Sequence, residues 1–275
     1  DHPDKVDLIG TLGLGPGDLF QSDLLLVVEG DTDAQWLRSL FPVELGRAHV
    51  LVAGSARQVM ETHDVLTKFS SGLPWLCIRD RDLLSDEEVT AMQARYPNMH
   101  VWPRRALESC FLEPSLIAAV MVSAGQDVSI DEVSDWLLEK AHPLREDVLA
   151  QLVEQELARR VPPPDVPESG DRYQKMAGHL KSYADVNLAR AEAVDAVVVD
   201  QRSRLEARWS NDWAILVDPK PLIAQLAGGI RPIFKNGPAI MSALVTRARE
   251  DLDVRPASLE ALRLRLAELL GSERA

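Results

Sequence analysis

Hydrophobic and polar positions fall into short blocks whose period changes along the chain. Residues 24–28, Leu-Leu-Leu-Val-Val, are continuously apolar, as expected of a strand covered on both faces. Residues 31–41 switch to helical spacing, with Trp36, Leu37 and Leu40 as the apolar stripe. Val50 to Ala53 reads as a second strand; Gly54 and Ser55 end it, and a helix follows over 57–69. Residues 74–78 form a third strand that runs into Asp80 and Asp82. Ser85 with Glu88 three residues later is a capping-box pattern and starts the next helix. Residues 98–102 read as a fourth strand, followed by Pro103. Strands and helices alternating at this spacing predict the α/β class: a mostly parallel sheet, right-handed crossovers, and helices on both sides.

After about Met121 the pattern becomes helical. Residues 130–141 and 144–160 are amphipathic, three prolines at 162–164 break the chain, and 173–209 is again helical. Residues 213–217, Trp-Ala-Ile-Leu-Val, return to strand character. The tail over 258–270 is an amphipathic helix carrying leucines at 259, 262, 266, 269 and 270. The predicted organisation is one α/β domain in two parts, 1–121 and 211–275, interrupted by a helical insertion over 122–210. Near the start, Gly13, Gly15, Pro16 and Gly17 punctuate a loop before a helical turn at Asp18. The Gly-x-Gly there follows no clear strand, so it reads as a capped loop and not as a dinucleotide fingerprint.

A hydrophobic content of 46% and a charged content of 27% over 275 residues fit a soluble globular protein. No segment reads as membrane-spanning or as a signal peptide, and Cys77 and Cys110 sit among apolar residues as packed, reduced thiols, so the expected location is cytoplasmic. The chain opens at Asp1 without an initiator methionine, and the expectation is a piece of a longer protein. The net charge of −13 makes it a poor nonspecific nucleic-acid binder by itself.

Four motifs follow predicted strands: Glu29-Gly30-Asp31-Thr32-Asp33, Arg79-Asp80-Arg81-Asp82, Arg105-Ala106-Leu107-Glu108, and Asp218-Pro219-Lys220. Parallel strands would gather the carboxylates at one sheet edge, where α/β sheets place their ligands. Carboxylates packed together repel and raise each other's pKa values unless cations neutralise them. Hard divalent ions with oxygen ligands do this, which points to a metal-dependent phosphoryl-transfer site. Asp80 and Asp82, two apart, would point to the same side of an extended segment. Asp31 and Asp33 have a second reading, as acids complementing a helix N-terminus. Arg79, Arg81, Arg104 and Arg105 either pair with the carboxylates or grip phosphates; Ser55 is a further candidate phosphate contact. Lys220 would stabilise charge on a transferring phosphate or is a surface lysine in a Pro-Lys-Pro turn. The six histidines show no zinc spacing, and neither a P-loop nor a serine-hydrolase elbow occurs.

The strand-ending Glu29-Gly30 and the later Asp80-x-Asp82 in this setting resemble a Toprim domain, the flavodoxin-like fold shared by topoisomerases, bacterial primases and a group of nucleases. The segment from Leu12 through Gln21 into Val27–Asp33 resembles the overcoming-lysogenization-defect (OLD) nucleases. Arg105 to Pro114 resembles that family's Arg-x-x-Glu segment, and Lys220 its late catalytic lysine, although Pro219 stands where that family usually has glycine. The resemblance covers about 1–121 and 211–228. It implies that Glu29, Asp33, Asp80, Asp82 and Glu108 hold two divalent metals, Mg²⁺ or Mn²⁺, with Ca²⁺ as a non-catalytic occupant, and that Glu29, Asp80 and Lys220 serve catalysis. It further implies two-metal hydrolysis of DNA phosphodiesters leaving 5′ phosphates, an upstream ABC-type ATPase domain in the full-length chain, a helicase as a further partner, and a role in phage defence or DNA processing. The alternative is a catalytically degenerate Toprim acting as an interaction or DNA-binding module.

Overall fold

A computed structural model describes residues 22–68, 73–164, 172–228 and 234–271. The glycine-rich segment over 8–21 lies outside them. Four strands, β1 (Leu24–Val28), β2 (Ala48–Val52), β3 (Trp75–Arg79) and β4 (Met99–Val101), form one parallel sheet in the order β2-β1-β3-β4. All five β1 residues are buried, because β1 is central in the sheet and packed on both faces. On one face Leu25, Val27, Cys77, Met99 and Val101 meet Val59, Leu66 and Tyr96. By alternation Leu24, Leu26 and Val28, all fully buried, belong to the other face.

The connecting helices are α1 (Asp31–Leu40), α2 (Ala56–Thr67) and α3 (Asp86–Arg95). Each starts where its sequence supplies a cap. The Asp33 carboxylate reaches back to the Gly30 amide at the start of α1, the Ser55 hydroxyl accepts from Gln58 N at α2, and Ser85 and Glu88 form the capping box of α3. Downstream lie α4 (Leu107–Cys110), α5 (Pro114–Ser123) and α6 (Ile130–Ala141). A 3₁₀ turn (His142–Leu144) leads into α7 (Arg145–Arg160) and the 45-residue α8 (Arg172–Leu216). The chain ends in α9 (Pro219–Gly228), α10 (Gly237–Glu250) and α11 (Ala257–Leu269), with α10 packed against α1, α5 and α9.

The chain divides into two compact units. The first comprises the sheet and its helices, up to Lys140 and again from Ala214; the second is Ala141–Trp213. The predicted insertion spans 122–210, and the second unit is Ala141–Trp213. α5 buries Leu116, Ile117, Ala118, Val120 and Met121, so it is core of the first unit. Within the second unit α7 and α8 are joined at both ends. Arg202 forms a two-pronged bond with Glu146 at 2.8 and 2.9 Å, and Arg190 donates twice to the Val161 carbonyl beyond α7.

The predicted strand over 213–217 is not a strand: it is the last turn of α8 and the residue beyond it. An apolar run of five has no period that separates a buried strand from the buried end of a helix. Among the described residues the sheet therefore has four strands, and the C-terminal part is helical throughout. Both cysteines are free and buried, as predicted. No helix among the described residues is long and apolar enough to cross a membrane.

The C-terminal helix is fastened by charge as well as by Leu259, Leu262 and Leu266. Glu260 accepts from Arg255 and Arg263, and Arg263 also reaches Glu44. The Arg263 bond, then the Arg255 bond, hold the Glu260 carboxyl down at about 2. Glu260→Gln should lower the urea midpoint, with a cost of about 1 kcal/mol and an unchanged m value. A midpoint within error of wild type would show the bridge to be a surface ornament of the kind that contributes nothing.

Candidate active site

The parallel arrangement sends all four strand ends to one edge, and the acidic motifs begin there. Glu29 follows the last residue of β1, Asp80 the last of β3, Arg105 and Ala106 lie in the segment between β4 and α4, and Glu108 is in the first turn of α4. Gly54, just past β2, joins the same edge: its amide donates to the Glu29 carbonyl at 2.8 Å. Its φ of +99° is a left-handed conformation that glycine adopts without strain. Together Glu29, Asp33, Asp80, Asp82, Arg105, Glu108 and Lys220 line one cavity of about 430 Å³.

The carboxylates are tied to one another's backbones. Asp80 N donates to Glu29 Oε1 at 2.8 Å, and Leu107 N at the start of α4 donates to Asp80 Oδ1 at 3.3 Å. Asp80 thus connects the β1 acid to the turn that carries Glu108. Asp82 N donates to the Arg105 carbonyl at 2.9 Å, which closes the loops after β3 and β4 on each other. Asp82 has φ +54°, the only non-glycine residue with positive φ among those described. Such strain is concentrated at functional sites, and Asn and Asp tolerate it best. Asp82→Ala should therefore cost about 1–2 kcal/mol of stability, whereas Asp82→Asn should leave the urea midpoint close to wild type. Equal stabilities for the two variants would show that the backbone relaxes at no cost.

The electrostatics follow from taking acids out of water beside other acids. Burial, reinforced by Asp33, Glu29, Glu108 and Asp82, pushes the Asp80 carboxyl up to about 8. Burial and then Glu108 raise Asp33 to about 6, against the opposing pull of the Gly30 amide and Lys220. Glu29 is raised by burial first, with Asp82 and Asp33 adding and the Asp80 amide and Arg79 opposing. The cavity is thus a place where positive charge is wanted.

Lys220 arrives by a route the sequence does not announce. It stands in the first turn of α9, where the Asp218 carboxylate accepts from the Lys220 amide at 3.0 Å and Pro219 takes the position that lacks a free N–H. The arginines separate into two groups. Arg79 is buried, donating to the Asp80 carbonyl and to Asp82 at 3.4 Å, with the Met60 and Met92 sulfurs beside it. Arg81 is buried on the Leu84 and Pro103 carbonyls and pairs with Asp86, and Arg104 binds Ser109 O, Leu112 O and Glu113. Arg105 lines the cavity and donates to the Leu216 carbonyl at 2.6 Å. Ser55 caps α2 and bonds Gln58. The cavity walls include neither Ser55 nor Arg79 nor Arg81. Asp31 is exposed and also lies off the wall.

Gly30, Thr32, Gly54, Ala106, Asp218 and Pro219 complete the wall, and none of them was a candidate site residue from the sequence. For Asp218 a signal existed, since Asp before Pro at the start of a helical pattern marks a capped N-terminus. Among the described residues no group of three or more His, Cys, Asp and Glu side chains stands arranged to hold a metal ion. Comparison with known proteins gives no match: no family model, no curated protein and no solved structure is significantly similar to the chain.

Proposed function

We propose that this chain is a metal-dependent DNA endonuclease of the Toprim type, the C-terminal nuclease region of an ATPase-coupled OLD-like protein. One observation carries the reading. Six carboxylates and a lysine line a single cavity at the C-terminal edge of a parallel sheet, five of the acids from three separated chain segments and Asp218 with Lys220 from a fourth. The sheet order β2-β1-β3-β4 is compatible with a flavodoxin-like core.

The donor set fits hard divalent cations. It offers carboxylate oxygens without thiolate or imidazole, and the raised affinity of Asp80 and Asp33 for protons marks a deficit of positive charge there. Glu29, Asp33, Asp80, Asp82 and Glu108 would hold Mg²⁺ or Mn²⁺. When bound, such ions supply an acidified water and neutralise charge on the phosphate. The chain's own residues do the rest. Asp80, anchored through Glu29 and Leu107, keeps the acidic loops in register. Arg79 holds Asp82 from behind. Lys220 sets a positive charge in the cavity wall that can meet negative charge developing on a phosphate oxygen.

Supercoiled plasmid incubated with the purified chain and Mg²⁺ or Mn²⁺ should be nicked or linearised, and neither Ca²⁺ nor EDTA should support the reaction. Cleavage in EDTA would overturn the proposal. That no acidic group among the described residues stands arranged to hold a metal ion favours a second reading, a degenerate Toprim that binds DNA or a partner without chemistry. Calorimetric titration separates the two: the nuclease reading requires Mn²⁺ binding that Asp80→Asn weakens, and the degenerate reading requires none.

A further inference from the structure

We infer that Arg105 is a positioning residue that sets the Lys220 segment against the acidic cavity, and not a phosphate grip; the inference rests on the nuclease reading above. Three observations carry it. The Arg105 guanidinium donates to the Leu216 carbonyl at 2.6 Å, across 111 residues of sequence. Leu216 is the last residue of α8, so its carbonyl is one of the four that a helix leaves without an internal partner. A cation bonded there also complements the negative end of the helix dipole. Second, only Val217 lies between this anchor and the cavity wall, which Asp218, Pro219 and Lys220 join. Leu216 and Val217 are buried, Asp218 caps α9 through the Lys220 amide, and Lys220 follows. A clamp at Leu216 therefore fixes where the Lys220 backbone starts. Third, Arg105 belongs to the acidic side by its own backbone, because its carbonyl accepts from Asp82 N at 2.9 Å. One residue thus touches the Asp82 loop through its main chain and the Lys220 segment through its side chain.

These contacts join the two halves of the cavity that come from opposite ends of the sequence. Without the clamp, the lysine side keeps its buried Leu216 and Val217 but loses the fixed bond to the acidic side. Lys220 then samples positions away from Asp33, whose carboxyl it pulls down in this structure.

Plasmid cleavage by wild type, Arg105→Ala, Arg105→Lys, Lys220→Ala and the Arg105→Ala/Lys220→Ala double variant tests this, together with amide hydrogen exchange over 214–226. Arg105→Ala should lower kcat by roughly 10- to 100-fold, less than or equal to the loss of the lysine itself. KM for DNA should change by less than about threefold, as for an interaction that does not bind the ground state. The double variant should be no slower than Lys220→Ala, the non-additivity expected of groups acting as one unit. Arg105→Lys keeps a donor for the Leu216 carbonyl and should recover most of the rate. Exchange over 214–226 should quicken in Arg105→Ala, with the sheet amides unchanged. The inference is overturned if Arg105→Ala raises KM, flattens the salt dependence of binding by about one phosphate contact, and leaves exchange unaltered. If wild type cleaves nothing with either metal, the nuclease reading fails, and exchange alone then decides whether Arg105 clamps Leu216.

Discussion

Asp80→Asn will abolish cleavage and, with divalent metal removed, make the protein more stable. The two effects have one cause. Burial, and then repulsion from Asp33, Glu29, Glu108 and Asp82, pushes the Asp80 carboxyl up to about 8. A carboxyl whose pKa is raised by folding adds full stability below its unfolded value, near pH 4, and that stability is lost as pH rises through 8. Asparagine keeps an oxygen for the Leu107 amide and carries no charge. Its advantage is therefore small at pH 5 and largest above pH 8. Thermal melts in EDTA should show a Tm gain of several degrees at pH 8.5, since about 1 kcal/mol moves Tm by roughly 2–4 °C at this size. Cleavage with Mg²⁺ or Mn²⁺ should fall by about 10²–10³-fold or more, as for loss of a principal electrostatic group. A variant that melts no higher than wild type at pH 8.5 would mean that the repulsion is relieved in solution. A variant that still cuts would remove Asp80 from the chemistry.

Lys220→Ala should slow cleavage by roughly 10²-fold or more while leaving folding and metal affinity almost unchanged. Lys220 carries no lone pair in its charged form and holds no cation, so its loss cannot weaken a metal site directly. Its place in the cavity wall, beside acids that want positive charge, distinguishes it from an ordinary exposed lysine. Surface substitutions away from such a site stay within about 0.5 kcal/mol, which corresponds to a rate change near twofold. A rate within that range would return Lys220 to the solvent-exposed first turn of α9. Metal titration and thermal melts on the same preparation decide whether any larger loss is chemical or structural.

The strands of the first hundred residues were legible because each is a short apolar block bounded by its own punctuation. Leu24–Val28 is followed at once by Glu29-Gly30 and then by a helical pattern, which marks it as a strand, and Ser85 with Glu88 marks a helix start. The acids were legible for the same reason: Glu29 and Asp80 come directly after such blocks, and parallel pairing brings all strand ends to one edge. Residues 213–217 were misread because five apolar residues carry no period, and only the continuing helical hydrogen bonds of α8 settle their state. The roles of the arginines were illegible for a different reason. Arg79, Arg81, Arg104 and Arg105 are alike in type and close in sequence, yet three are drawn into nearby carbonyls and carboxylates while the fourth reaches Leu216. Local sequence carries the period and the caps, and hence the strands and most helix starts. Which side chains share the cavity depends on chain segments more than a hundred residues apart, and their meeting is decided by burial and pairing in three dimensions.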